Sequence, residues 1–205
     1  MIVFFDVLLI FLFFFLFAVS HTILASEKVK QAIILKSGDK IAFYRLFYNL
    51  SSLLIIGVFW SIAPRPDIII YDLQYPFDII IFVFQILSLF GFIWAGTYID
   101  LQEFTGISQV KRYINGTYET DDLDERAVLR IEGPFKYCRH PIYLFSILFI
   151  GLRPVMDLFY LVFFVCATLY FIIGSYYEEE KLSKKFKDEY TNYQKKVSRL
   201  IPKIY

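Results

Sequence analysis

Histidine and cysteine are almost missing from this chain, two of each among 205 residues. Cys138 and Cys166 make no metal-ligand spacing and no disulfide framework, so both are read as packing residues and no metal is expected. Net charge is scarce too: 21 Lys and Arg against 20 Asp and Glu leave +1, which argues against a nucleic-acid partner. No Lys or Arg precedes the first apolar run, as one would in a secretory signal, and Ala18-Val19-Ser20 is only a weak cleavage site. That run, taken with Ile2 to Phe5, is long enough to span a bilayer and reads as a retained transmembrane helix. No internal repeat is visible, and the length is one domain's worth of chain: residues 1–205 read as a single membrane domain.

Apolar and aromatic residues are what the chain has in excess. It is 58% hydrophobic, carries 24 Phe and 16 Tyr, and has a mean hydropathy of +0.54, whereas an ordinary soluble domain is nearer half apolar. The excess collects into runs of the length a bilayer crossing needs, roughly 20 residues as a helix. Segment one covers Ile2 to Ser20, segment two Phe43 to Ile62, and segment three Phe77 to Ile99. Pro64 and Pro66 end the second. A polar stretch from Asp100 to His140 follows, and then an apolar one, Ile142 to Tyr177, too long for a single untilted span. Gly151-Leu152-Arg153-Pro154 breaks it, so a hairpin of two helices is expected, turning near Arg153 to Asp157. The expected fold is therefore all-α and integral to a membrane, with five transmembrane helices. Residues 1–99 form a three-helix N-terminal part; residues 100–205 hold a loop, the hairpin and a closing helix.

Basic residues orient these segments. Loop one carries Lys28, Lys30, Lys36 and Lys40, while loop two, Ala63 to Pro76, has only Arg65 against Asp67 and Asp72. Loop three carries Lys111, Arg112, Arg126, Arg130, Lys136 and Arg139, and the tail after Tyr177 is rich in lysine. Alternation places the N-terminus outside and the C-terminus in the cytosol, and five crossings satisfy that parity. In the tail Leu182, Phe186, Tyr190, Tyr193 and Val197 recur at spacings of four, four, three and four, one face of an amphipathic helix lying on the membrane or over the bundle.

Chemistry concentrates in two short stretches, Gly133 to Tyr143 and Glu178-Glu179-Glu180-Lys181-Leu182. Both ends of a hairpin return to one face of the membrane, so Arg139-His140 and the glutamates are expected to be neighbours. Such groups are costly to desolvate unless they serve a ligand or one another. Taken singly they have plainer roles. Arg139 and His140 suit interface anchors, Pro141 a first helical turn, and the glutamates a solvated turn paired with lysines.

The ordered set Gly133-x-Phe135-x-x-x-Arg139-His140-Pro141-x-Tyr143, then Glu178-Glu179-x-x-Leu182, Phe186, Tyr190, Tyr193 and Ile201-Pro202 resembles the isoprenylcysteine carboxyl methyltransferase family over roughly the last 75 residues. Membrane phospholipid and thiol methyltransferases share that superfamily. His21, Arg45 to Asn49 and Gly106 to Gln109 are similar to its thiol methyltransferase and NnrU-like branch. The resemblance implies an enzyme that uses S-adenosyl-L-methionine. By matching position, His140, Pro141, Ile142, Tyr143 and Glu178 with Glu179 would hold the cofactor. Phe135 would lie near its adenosyl moiety, and Ala127, Val128, Leu129 and Arg130 would line it. A carboxylate such as Glu178 suits ribose hydroxyls or the sulfonium charge, Arg139 or His140 the methionine carboxylate, and Phe135 or Tyr143 an aromatic cover. Arg139 and His21 are the expected reactive-centre residues, His21 on the acceptor side.

Two positions depart from the family pattern. Gly174 stands where prenylcysteine enzymes place an arginine for the substrate carboxylate, which argues against that substrate, and Lys187 stands where a glycine is common. The acceptor is an apolar or lipid-borne small molecule: a thiol, an isoprenylcysteine, a phospholipid amine or a quinone-like compound. An NADPH-dependent reductase related to sterol reductases and a non-catalytic scaffold are the competing readings.

Overall fold

Uninterrupted apolar sequence becomes long helix in the computed structural model, which describes residues 2–123, 126 and 128–203. Helix α1 spans Ile2–Ala25, α2 Glu27–Ser37, α3 Tyr44–Ile62 and α4 Phe77–Gly96. Short helices α5, Leu101–Thr105, and α6, Ile107–Ile114, occupy the polar stretch. Helix α7 is Pro141–Gly151 and α8 is Leu158–Gln194. Large apolar side chains face outward along the helices, Ile2 at 78% exposure, Leu53 at 67% and Phe90 at 63% among them. A water-soluble chain does not leave apolar surface of this extent uncovered; in hydrocarbon it is the favoured arrangement.

Among the described residues four stretches are long and apolar enough to cross a membrane: α1, the continuous run Glu27–Ile62, α4 and α8. The fifth expected crossing, at α7, does not reach that length. Helix α7 has 11 residues, about 16 Å at 1.5 Å per residue, against a hydrocarbon core of about 30 Å. The break after Gly151 explains the shortfall. Pro154 ends helical pairing, and Val155–Asp157 (β2) pairs antiparallel with Ile69–Asp72 (β1) in the register Ile69 to Asp157, Tyr71 to Met156 and Asp72 to Val155. The bonds Leu73 N–H to Pro154 O, 3.0 Å, and Leu158 N–H to Ile68 O, 2.9 Å, flank the pair. The all-α expectation is corrected by this two-stranded ribbon, in which two interrupted stretches satisfy each other's backbone groups. Arg153 is accommodated by stacking on Tyr160, 3.6 Å from the ring centroid, and by donating to the Val155 carbonyl.

The chain forms two compact units. One comprises Leu12–Ala63 and Ile99–Val128. Its core is Ile41, Tyr44 and Tyr48, with Leu24, Val29, Ile33 and Tyr118 against them. Asp100 caps α5 by accepting from the N–H groups of Gln102 and Glu103. Gly106, at φ 97°, turns the chain from α5 into α6, and a Cβ there would lie 2.6 Å from the Leu46 nitrogen. Glycine is therefore required.

The other unit comprises Met1–Phe11, Pro64–Tyr98 and Leu129–Tyr205. Within it α7 lies against α4: a Cβ on Gly91 would sit 2.3 Å from the Phe145 ring, and Gln85 donates to the Phe149 carbonyl at 3.0 Å. Helix α8 begins at Asp157, which caps it by accepting from Tyr160 N–H. It is apolar to Tyr177 and charged from Glu178 onward. The expected closing helix is the continuation of α8, broken at Lys187, where φ is 46° and ψ −121°. Val197, expected on that helical face, lies past its end and is buried.

Candidate active site

The platform of the site begins at a 3-10 turn, Gly133–Lys136. Gly133 has φ 56°, and a Cβ there would fall 2.2 Å from the Tyr98 ring, so only glycine lets the turn sit beneath that ring. Beyond the turn, Cys138 to His140 run beside the C-terminal segment. Arg139 N–H donates to Ser198 O at 2.9 Å and His140 N–H to Arg199 O at 3.1 Å. Tyr193 O–H donates to the Phe135 carbonyl at 2.5 Å and ties the turn to α8. Pro141 then opens α7, where its missing N–H costs nothing.

The two neighbouring glutamates of α8 do different things. Glu179 is 3% exposed and accepts from Arg139 Nε at 2.7 Å, Arg139 Nη2 at 3.1 Å, Gln194 Nε2 at 3.1 Å and Arg199 Nη2 at 3.2 Å. Its Oε1 is also 3.2 Å from His140 Nε2. Arg139 uses its remaining nitrogen on the carbonyls of Gln194 and Val197. Glu179 and Arg139 thus form a satisfied strut between α8 and the 138–140 segment. Glu178, with a side chain 48% exposed, faces outward. It accepts from Tyr143 O–H at 2.9 Å and lies 3.4 Å from His140 Nδ1. The Tyr143 ring is sandwiched between His140, 5.2 Å away, and Phe171, 5.0 Å away. Both of its faces are occupied by protein rings, so neither is open to serve as an aromatic cover.

Charge follows from this geometry. Burial alone would raise the Glu179 carboxyl, but the hydrogen bonds from His140 and Arg139 and the charges of Arg139 and Arg199 outweigh it and hold the group far below the usual carboxylate range. Glu178 is likewise lowered: burial opposes, while the His140 and Tyr143 hydrogen bonds and the Arg130 charge win. Burial depresses the His140 imidazole, yet the two carboxylates flanking it more than compensate and raise it. Burial pushes the Cys138 thiol up to about 11, and a thiol so raised is inert at neutral pH.

Leu129 and Arg130 line a cleft of about 290 Å³ with Tyr98, Ile131 and Glu132. Arg130 donates to the Tyr98 carbonyl at 3.0 Å. Phe135 and Ile142 are half-buried. Val128 is exposed and belongs to the other unit, and Ala127 lies outside the described residues.

His21, also in the other unit, sits on α1 with Tyr48 Oη 2.6 Å from Nε2 and Ser52 Oγ 2.8 Å from Nδ1. Ser52 donates its hydroxyl proton to the Tyr48 carbonyl. It must therefore accept from His21 Nδ1–H, which leaves Nε2 to accept from the Tyr48 phenol. This tautomer is assigned from the bonding pattern. Sequence reading missed Gln194 and Arg199. Arg199 stands two residues before Ile201-Pro202 in the matched pattern, but nothing in its spacing reveals that it reaches Glu179.

The fold and site define a helical membrane-type chain with one Arg-His-Glu cluster where two apolar helices end. Among the described residues no group of His, Cys, Asp or Glu is placed to hold a metal. No protein-family model matches the chain, and no solved structure does. Over most of its length it is similar to curated proteins named methanethiol S-methyltransferase. It is 31% identical over 191 residues to methanethiol S-methyltransferase 1 of Bradyrhizobium diazoefficiens, covering 91% of this chain and 64% of that protein. With the protein of that name from Pseudomonas deceptionensis it shares 28% identity over 202 residues, 97% of this chain and 72% of the relative. The relative from Crocosphaera subtropica is 29% identical over 199 residues, 92% of this chain and 72% of its own. The chain thus spans just under two thirds of the first relative and somewhat more of the other two.

Proposed function

We propose that this chain is a membrane-embedded methyltransferase that uses S-adenosyl-L-methionine and methylates a small thiol. The observation that carries the reading is the outward-facing Glu178, fixed by Tyr143 and His140 beside Arg130, in a chain whose relatives bear the name of a thiol methyltransferase. These residues suit the cofactor chemically. An ionised, half-exposed carboxylate accepts from ribose hydroxyls or offsets a sulfonium. Arg130 and the cleft it lines with Leu129 offer cationic and apolar surface. Glu178, Tyr143, His140, Leu129 and Arg130 would hold the cofactor, with Phe135 as its aromatic cover. Bound there, S-adenosylmethionine supplies an electrophilic methyl group on sulfur.

The chain's own residues orient the reactants. The Glu179–Arg139–Arg199 strut fixes the Glu178–Glu179 turn of α8 against residues 138–140, so the Glu178 carboxylate is held before any ligand arrives. Such preorganisation is where transfer between two positioned reactants gains most of its rate. A thiol acceptor must also lose its proton. His21 is kept as the acceptor-side candidate, with its Nδ1–H held by Ser52 and its Nε2 lone pair by the Tyr48 phenol.

Titration of the detergent-solubilised chain with S-adenosylmethionine and, separately, NADPH tests the proposal. Saturable binding of the first, weakened at least about tenfold by Glu178→Gln, is expected. Binding of NADPH alone, or of neither, would defeat it. A screen of acceptors with methyl-labelled cofactor then separates methanethiol and other small thiols from lipid-borne acceptors.

A further inference from the structure

A second cleft, of about 380 Å³, is lined by Arg139, Tyr176, Gln194 and Arg199. It does not belong to the presumed cofactor face. Tyr176 and Glu178 are two residues apart on one helix, which places them about 200° apart around its axis. The cleft and the Glu178–Tyr143 pair therefore lie on opposite flanks of α8, with the Glu179 strut between them.

Three observations define what this cleft would take. First, it is cationic: Arg139 and Arg199 share the single carboxylate of Glu179, leaving one positive charge in excess. Arg139 has spent its donors on the protein, but Arg199 has not. Its Nη2 bonds Glu179, while its buried Nε has no hydrogen-bond partner among the described residues. Of the two guanidiniums, Arg199 is therefore the one with donor capacity to spare. Second, Arg199 lies flat on Tyr176, 3.5 Å from the ring centroid, which presents its planar edge rather than leaving it mobile. Third is depth. Tyr176 and Tyr177, 57% and 62% exposed, are the last aromatic residues of α8 before it turns charged at Glu178. Tyrosines at such a boundary mark the headgroup level of a bilayer.

A planar cation held on a tyrosine at headgroup depth meets lipid phosphate. We propose that this cleft is a binding site for the phosphate of an anionic membrane lipid, taken by Arg199 with Tyr176 as its platform. Because Arg199 also bonds Glu179, which contacts His140, an occupied cleft braces the strut that carries the cofactor-side residues. The site itself does not depend on the proposed methyl transfer.

The test is calorimetric titration of the full chain in neutral detergent with dioctanoyl phosphatidylglycerol and, in parallel, dioctanoyl phosphatidylcholine. One phosphatidylglycerol is expected to bind at least about tenfold more tightly than phosphatidylcholine, the effect of about one charge-assisted hydrogen bond. Arg199→Gln and Tyr176→Leu should each remove that preference. Tyr176→Leu leaves every Glu179 hydrogen bond in place, so it reads the site without loosening the strut. Equal binding of the two lipids, or a preference that survives both substitutions, would overturn the proposal. So would displacement by inorganic phosphate as effective as by lipid, which makes the cleft a free-phosphate site, or displacement by S-adenosylmethionine, which returns it to the cofactor.

Discussion

Adjacent glutamates with opposite duties allow a sharp experiment. Glu179→Gln keeps size and shape but removes the negative charge that Arg139, Arg199 and His140 share. Arg139, with a side chain 9% exposed, is then left as a buried cation supported only by backbone carbonyls and a weak amide contact. Breaking a buried pair from one side costs about 3–5 kcal/mol, because the partner charge stays behind. Glu178→Gln touches a side chain 48% exposed, and surface pairs contribute only about 0–1 kcal/mol. The expected pattern is a double dissociation. Glu179→Gln lowers the unfolding midpoint in a denaturing-detergent titration strongly and reduces cofactor binding only as far as the fold is lost. Glu178→Gln leaves the midpoint within about 1 kcal/mol of the parent and weakens cofactor binding at least about tenfold. A pair Arg139→Met with Glu179→Leu should cost less than the sum of its parts, since the two residues share one network. If Glu178→Gln unfolds the chain while Glu179→Gln spares it, the division of labour argued here is wrong.

Three other outcomes follow from the same geometry. His140 is raised above its ordinary value of 6.5, so its stabilising charge is complete below that pH and is lost as pH climbs through the folded value; stability should fall from pH 6 toward pH 9, and His140→Asn should flatten that slope, checked by unfolding midpoints across pH. Lys187 holds φ 46° and ψ −121°, a backbone region that glycine tolerates and lysine does not, so Lys187→Gly should raise stability by about 1 kcal/mol in the same titration. His21→Ala should reduce turnover of a thiol at saturating acceptor by about 10²-fold or more while leaving cofactor binding unchanged, and unchanged turnover would remove His21 from the reaction.

Apolar runs and prolines made the long helices legible. The end of α3, the start of α4 and the break at Gly151 to Pro154 follow from composition and from what proline cannot donate, whereas α4 stops at Gly96, three residues short of the expected Ile99. At α7 run length does not reveal that the break leaves an eleven-residue helix packed on α4. Helix α2 was read as a loop because lysines interrupt its apolar residues, and α5 and α6 depend on the Asp100 cap and the Gly106 turn inside a polar stretch. The β1–β2 ribbon joins segments far apart in sequence, and local pattern carries no trace of such a pairing. At the site, the logic of a chain that folds back placed Arg139 and His140 beside Glu178 and Glu179, where the structure has them. It did not distinguish the glutamates from each other. Only the rotation of one residue along α8 turns Glu179 inward and Glu178 outward, and only the return of Gln194, Val197 and Arg199 shows what Glu179 holds.

The Arg139 guanidinium grips the Val197 carbonyl, a partner 58 residues further along the chain. Removing Val197 and Arg199 would leave every long apolar helix in place, yet take away partners of the Arg139 and Glu179 pair beside Glu178. Apolar runs thus decide where the long helices form, while residues 194–199 decide how firmly the Glu178 turn of α8 is held against the 138–140 segment.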